Sequence, residues 1–258
     1  MYKRQRPAKL FGMVLEIIVI ACGCFVASAF NAVFATGGVH IMLATSSSVL
    51  PLAVAIPMQA ALNMPSLIAR ILSFRQHIHW PIFIMFTPAA AVGVFIGARV
   101  FVGLDEDVIS LALGCLLLGL IWLVPAGVKL KSPGRFRLVG LLHGFFGTIF
   151  GVGLFLQPAV LRTELSRLQI TATLAACLMM VEVLKSGGYA VFGFDFAAYW
   201  QHIMFGAVAS IMGNYFGQRF GWLVSEELFR LVFKILVTLV ALRPVSYTHL
   251  TLPTKRIV

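Results

Sequence analysis

Long uninterrupted apolar blocks constrain this chain more than any other feature of its sequence. Several blocks exceed the roughly 18 residues that a helix needs to cross the hydrocarbon core of a bilayer. Hydrophobic residues make up 60% of the chain and charged residues 11%, whereas a soluble domain carries about 25% charged residues. Only helices and closed barrels satisfy backbone polar groups in lipid, and the short alternating strands of a barrel are absent from the sequence. The sequence therefore predicts an all-α integral membrane protein.

Charged residues and prolines between the apolar blocks predict about eight transmembrane helices. These are predicted near 11–35, 51–72, 80–101, 107–126, 137–151, 168–191, 196–218 and 228–243. Two shorter apolar segments, 39–50 and 152–161, each follow glycines and are about half the length of a span at 1.5 Å per residue. We expect them to be re-entrant or broken helices, which membranes tolerate only where protein or a water-filled cavity surrounds them.

A repeated pattern predicts two sequence-related halves with four helices each. The segment 93–99, a Gly-xxx-Gly pair followed by arginine, recurs 120 residues later at 213–219, and 31–38 resembles 147–153. Duplicated halves are typical of secondary transporters. The predicted organisation is a first repeat at 6–128, a basic cytoplasmic linker at 129–136 and a second repeat at 137–244. With four spans per half, an even number, both repeats begin on the same side of the membrane and are parallel. If each short segment counts as a span, the number per half is odd and the repeats are inverted. The sequence leaves both arrangements open.

The two ends of the chain resemble translated adapter sequence. We therefore expect residues 1–5 and 245–258 to lie outside the natural protein and leave them out of the fold reasoning. Across the loops, an N-terminus on the inner side gives the inner segments ten Lys and Arg residues and the outer segments five. The positive-inside rule then predicts a multi-pass protein of the bacterial inner membrane with both termini in the cytoplasm. The basic balance reflects topology, and no nucleic-acid partner is expected because no basic domain lies outside the membrane.

The glycine-rich breaks are the best candidates for a substrate site. A helix that begins at a break presents free N–H groups and a partial positive charge, which suits a small anion at membrane depth. The predicted substrate-binding residues are Asn31, Thr36, Gly37, Gly38, His40, Gly147, Thr148, Gly151, Gly153, Gln157, Pro158 and Thr173. The alternative for the glycines is close helix packing, and for the polar residues an interhelical hydrogen bond.

Three charged residues inside predicted spans are candidates for lining a transport pathway. Charges within a membrane are costly and therefore suggest a function. Glu182 and Lys185 are three residues apart and can pair on one helix face, while Lys234 lies about two turns into the last predicted span. The alternative for the Glu182–Lys185 pair is an interfacial ion pair whose lysine extends toward water.

Metal and enzyme motifs are missing from the sequence. The cysteines lie in apolar blocks without zinc-type spacing, so neither a metal nor a cofactor is expected. No His-Glu-x-x-His or Gly-x-Ser-x-Gly pattern occurs, which disfavours an intramembrane enzyme. A passive anion channel and a non-transporting membrane scaffold remain as alternatives to a transporter, and a homo-oligomer is compatible with the sequence.

The glycine motifs, taken in order, resemble those of a known family. They are the break at 36–38, the pattern at 143–153 with Pro158 following, the Ala172-Thr173 pair, the Gly-xxx-Gly repeats and the turn at 226–230. In these the chain resembles the TauE/SafE sulfite exporters, permeases of the bacterial inner membrane. The resemblance implies a secondary transporter of small anions such as sulfite, sulfonates or related organosulfur or carboxylate compounds, with proton coupling left open.

Overall fold

The computed structural model describes residues 5–220 apart from 35, 36, 106, 110, 113–133, 152, 154 and 162. The described residues form helices and contain no β-strand, which confirms the all-α fold class. The predicted span at 228–243, most of the one at 107–126, residues 129–133 of the linker and the site residues Thr36 and Lys234 lie outside the described residues.

Eight α-helices have defined bounds within the described part of the chain. They are α1 (Gln5–Phe34), α2 (Gly38–Ser46), α3 (Leu52–Phe74), α4 (Trp80–Val102), α5 (Arg135–Phe150), α6 (Leu156–Leu161), α7 (Arg167–Val191) and α8 (Trp200–Phe220). The two short helices, α2 and α6, lie where the sequence predicts broken segments.

Four described stretches are long and apolar enough to cross a membrane. They are Gly12–Val33, Leu52–His77, Trp80–Val102 and Leu168–Val191. Large apolar side chains cover the outer faces of the helices, as expected where a protein contacts lipid; examples are Val92, Phe95, Val191, Phe205, Met212 and Tyr215. The protein is therefore a multi-pass membrane protein, while the count of eight spans stays a prediction.

Left-handed glycines lie at both breaks. Gly37, with φ 94°, immediately precedes α2, and Gly151, with φ 71°, ends α5. Glycine adopts this conformation without the steric penalty that a Cβ would impose, and it is the commonest residue at such a helix end. In both places a long helix is followed within a few residues by a short one.

Each short helix carries the chain back along the long helix before it. A Cβ on Gly38 would collide with the carbonyl oxygen of Ala27, and a Cβ on Gly23 would collide with the side chain of Thr45. Because the residue numbers on α1 fall as those on α2 rise, the two helices are antiparallel. In the second half, the N–H of Leu156 donates to the ring of His143, which places the start of α6 alongside the middle of α5.

The first Gly-xxx-Gly motif packs α4 directly against the backbone of α5. A Cβ on Gly93 would collide with the carbonyl oxygen of Leu141, and one on Gly97 would lie 2.7 Å from the carbonyl oxygen of Phe145. Both series of residue numbers rise together, so α4 and α5 run parallel. Small residues permit this close approach of two helix backbones in a membrane.

The second Gly-xxx-Gly motif packs α8 against α1 in the same manner. A Cβ on Gly213 would collide with the carbonyl oxygen of Phe25, and one on Gly217 with that of Ala29. The numbers again rise together, so α8 and α1 run parallel. The structure thus gives both motifs a role in close helix packing.

Contacts between α4 and α7, together with two short connections, show in which direction each long helix runs. At the start of α4, the N–H of His79 donates to Oγ1 of Thr173 near the start of α7, at 2.9 Å, while Gly188 faces Ala98 near the ends of both helices. Helix α4 therefore runs parallel to α7. Short connections reverse the chain between α3 and α4 and between α7 and α8. Helices α1, α3 and α8 consequently run one way, and α4, α5 and α7 run the other way.

Candidate functional site

Both glycine breaks border one cavity between the helices. The volume open to the centre of a water-sized sphere is about 40 Å³. A bound water needs roughly 10–15 Å³ by the same measure, so the cavity has room for a few water-sized groups. The predicted site residues that line it are Asn31, Gly37, Gly147, Gly151, Gly153, Gln157, Glu182 and Lys185. The structure therefore brings residues of the two breaks together, although they lie more than 100 positions apart in the sequence.

At the first break, a side chain of α1 holds the start of α2. Oδ1 of Asn31 accepts a hydrogen bond from the N–H of Gly38 at 2.9 Å, and the left-handed Gly37 lies between them in the chain. The side chain of Gln59 on α3 donates to the carbonyl oxygen of Val39 at 2.9 Å. These bonds fix the first break against both α1 and α3.

At the second break, the ring of His143 takes the corresponding position. Its Nδ1 accepts a hydrogen bond from the N–H of Leu156 at 3.2 Å. A Cβ on Gly153 would collide with the same ring, so only glycine fits there without displacing His143. Because Nδ1 is an acceptor, the imidazole is in its neutral form with its proton on Nε2.

The two helix-start N–H groups at the breaks are bonded within the protein. The sequence suggests that such groups are free to bind an anion, but those of Gly38 and Leu156 donate to Asn31 and His143. A side chain of the preceding long helix caps the short helix in each case. These two N–H groups are therefore not available to an anion.

A buried ion pair supplies charge at the cavity wall. Nζ of Lys185 lies 2.9 Å from Oε2 of Glu182, as the three-residue spacing predicts. Nδ2 of Asn63, on α3, donates to the other carboxylate oxygen, Oε1, at 3.1 Å. Both oxygens of Glu182 are thus engaged, and the network joins α7 to α3.

Arg70 is the charged lining residue that the sequence did not mark as part of the site. It is 2% exposed, and its Nε and Nη1 have no hydrogen-bond partner within the described part of the chain. Buried polar groups are nearly always hydrogen-bonded, and an arginine stays charged in proteins. A buried guanidinium without a partner for these two nitrogens, on a residue that lines a cavity, is a candidate group for holding an anion.

A polar stripe on α3 is the signal that could have revealed Arg70. Gln59, Asn63, Ser66 and Arg70 follow one another at spacings of four, three and four residues, which place them on one helix face. Because Arg70 lies only a few residues before the end of α3, it counts in the sequence among the ten Lys and Arg residues of the inner segments. All four side chains are buried.

Among the described residues, the charged groups that line the cavity leave one excess positive charge. Arg70 and Lys185 are cations, Glu182 is an anion and His143 is neutral by its hydrogen bonding. The other lining residues are uncharged. The cavity is therefore suited electrostatically to an anion.

Several predicted site residues have other positions in the structure. His40 is buried in α2 with its Nδ1 3.3 Å from the carbonyl oxygen of Gly37, and Gly38 is bonded to Asn31. Pro158 is exposed on α6.

Two predicted threonines also make structural bonds instead of lining the cavity. Oγ1 of Thr148 donates to the carbonyl oxygen of Gly144 at 2.6 Å, and the hydroxyl of Tyr189 donates to the carbonyl oxygen of Thr148. Oγ1 of Thr173 accepts the N–H of His79. A single sequence cannot distinguish such bonds from ligand contacts.

Comparison with known families identifies the type of protein. The family model described as sulfite exporter TauE/SafE matches residues 19–243. The chain belongs to the TauE/SafE family. Neither the curated proteins nor the solved structures give a match. TauE/SafE membership, together with the apolar helices, makes this chain a membrane transport protein and favours transport over catalysis.

The described part of this TauE/SafE protein offers no metal centre. Among its described residues, no three His, Cys, Asp or Glu side chains are grouped so that they could hold a metal ion. The polar groups at the cavity instead form a guanidinium, an ammonium and a carboxylate with amide neighbours. This combination can bind and release a small anion.

Proposed function

We propose that this protein is a secondary transporter of small anions, sulfite or sulfonate-type compounds in the first instance, in the bacterial inner membrane. The observation that carries the proposal is Arg70, which lines the cavity and whose buried Nε and Nη1 have no hydrogen-bond partner in the described residues. A planar guanidinium matches the paired oxygens of a sulfonate or carboxylate. The family's description as sulfite exporters supports the same class of substrate.

The binding site would lie where the two glycine breaks meet. Gly37 separates α1 from α2, and Gly151 ends α5. Gly153 has no side chain, which leaves the space that the ring of His143 occupies. Irregular backbone at membrane depth is tolerated where it lines a cavity, and transporters place substrates at such discontinuous helices. The amide side chains of Asn63 and Gln157 would add hydrogen bonds to the anion's oxygens.

We infer further that the chain consists of two inverted halves, 6–128 and 137–244. The helices correspond in pairs between the halves: α1 to α5, α3 to α7 and α4 to α8. The packing follows this correspondence, because α4 packs on α5 in the same way as α8 packs on α1. The members of each exchanged pair run in opposite directions, as an inverted repeat requires. Of the two arrangements that the sequence leaves open, the helix directions favour the inverted one, and transport would proceed by rocking one half against the other.

The helix directions also revise the expected orientation. The end of the bundle that holds the α3–α4 connection carries Arg70, Arg75, Arg135, Arg137, Arg167 and Arg219, whereas the opposite end carries Arg6, Lys9 and Arg99 with Asp105, Asp107 and Asp195. By the positive-inside rule the first end is cytoplasmic. The start of α1 then lies on the outer side, which replaces the expectation of a cytoplasmic N-terminus, because α2 carries the chain back between α1 and α3.

The proposal is tested by the uptake of radiolabelled sulfite and methanesulfonate into proteoliposomes that contain the full chain. Arg70→Gln should lower the rate at subsaturating substrate at least about tenfold, since a charged hydrogen bond contributes roughly 1.5–3 kcal/mol. Arg75→Gln is the matched control, because Arg75 lies at the same helix end and is exposed. Equal uptake by wild type and Arg70→Gln would refute the site, and absence of anion uptake by folded wild-type protein would refute the function.

A further inference from the structure

We propose that Glu182 makes the cavity selective for singly charged anions over doubly charged ones. The substrates favoured would be sulfonates and hydrogen sulfite, and those disfavoured would be the sulfite dianion and sulfate. This inference rests on the proposed function and specifies its substrate by charge.

The first step is that Lys185 is engaged by Glu182. Its Nζ lies 2.9 Å from Oε2 of the carboxylate, and the amide of Asn63 donates to Oε1 at 3.1 Å. All three residues are buried. The carboxylate thus offsets the ammonium charge within the cavity wall and leaves the guanidinium of Arg70, among the described lining residues, as the cation available to a ligand.

The second step is the balance of charge after an anion binds. A charge in a medium of low dielectric constant is costly unless an opposite charge neutralises it. One excess positive charge neutralises a singly charged anion. A doubly charged anion would leave one negative charge uncompensated among buried groups, so its binding is disfavoured.

The third step is that no other lining residue within the described part of the chain corrects this balance. His143 accepts a hydrogen bond at Nδ1 and is neutral, and the remaining described lining residues, which include Val39 of α2, are uncharged. A negatively charged residue beside two cations in an anion site lowers the attraction for every anion. Its presence is therefore explained by discrimination between anions of different charge better than by affinity.

Substituting Glu182→Gln tests the inference because glutamine keeps the shape and one oxygen acceptor while it removes the charge. The full chain in proteoliposomes is given radiolabelled methanesulfonate, which has one charge, with unlabelled methanesulfonate or sulfate as competitor. In the wild type, sulfate should compete at least about tenfold more weakly than methanesulfonate. In Glu182→Gln, the ratio of the two inhibition constants should shift by about tenfold or more toward sulfate.

A double variant restores the original charge by a different route. Glu182→Gln with Lys185→Met removes one negative and one positive charge, so the cavity keeps one excess positive charge and should again prefer methanesulfonate. The inference would be overturned if folded Glu182→Gln kept the wild-type preference for methanesulfonate over sulfate. It would also be overturned if the double variant showed the same shift toward sulfate as Glu182→Gln.

The wild-type competition decides the matter if Glu182→Gln does not fold. Equal competition by sulfate and methanesulfonate in the wild type would overturn the inference while leaving anion transport intact. Failure of the proposed function would look different, because the wild type would then take up neither anion.

Discussion

The side-chain amide of Asn63 donates to the carboxylate of Glu182 across the interface between α3 and α7, at 3.1 Å. These helices occupy equivalent places in the two proposed halves, so the bond joins the halves at the wall of the cavity. The second carboxylate oxygen holds Lys185. One buried carboxylate therefore links both halves and fixes the charge of the site.

Removing the amide of Asn63 should destabilise the protein. In Asn63→Leu, the buried oxygen of Glu182 loses a donor, and a hydrogen bond to a charged group contributes roughly 1.5–3 kcal/mol. We expect a lower midpoint of thermal unfolding in detergent. Ser73→Ala is the control, because the Ser73 side chain is exposed and bonds only to its own helix. An unfolding midpoint of Asn63→Leu equal to that of the control would contradict a structural role for this bond.

Enlarging Gly153 should abolish transport without preventing insertion. A Cβ at this position would collide with the ring of His143, so even Gly153→Ala should disturb the second break, and Gly153→Leu should stop anion uptake. The matched control is Gly187→Ala, since a Cβ on Gly187 meets no atom within 4 Å. Normal uptake by inserted Gly153→Leu would refute the placement of the site.

Enlarging a Gly-xxx-Gly residue should impair folding rather than substrate specificity. In Gly213→Val, the new side chain would press on the backbone of α1 at Phe25, and overpacking of this kind costs about 1–3 kcal/mol. The expected result is a lower yield of folded protein and a lower unfolding midpoint. Gly12→Val serves for comparison, because a Cβ on Gly12 meets nothing within 4 Å. Loss of uptake with undiminished stability would argue instead for a direct role in transport.

The inverted arrangement predicts that two loops lie on opposite sides of the membrane. In a cysteine-free background, a cysteine at His77 before α4 should react with an impermeant thiol reagent from the cytoplasmic side. A cysteine at Asp195, between α7 and α8, should react from the outer side. Eight alternating spans would place both positions on the same side. Labelling of both from one side would therefore contradict the helix directions.

The sequence was sufficient to predict features that depend on local composition. Apolar length predicts helices that cross a membrane, glycine clusters predict the two breaks, and the spacing of Glu182 and Lys185 predicts their ion pair. Each of these is determined by residues close together in the chain. The predicted grouping of the two breaks relied on the repeat, and the structure places them around one cavity.

Features that depend on distant contacts could not be read from the sequence. Arg70 lies near a helix end, where arginine is ordinarily solvated, yet the folded structure buries it. The direction of α3 relative to α1 depends on whether nine residues of α2 carry the chain back. The length of the apolar segment does not show whether the chain crosses back. A short helix followed by extended backbone can span the same distance as a longer helix.

The central claim, secondary transport of an anion, is tested most directly by concentrative uptake in proteoliposomes. Radiolabelled methanesulfonate should enter with saturable kinetics and accumulate above its external concentration when a proton or anion gradient is imposed. Replacing Arg70 with glutamine should lower this uptake at least about tenfold at subsaturating substrate. Uptake that never exceeds equilibration and does not saturate would contradict the account and indicate a passive channel.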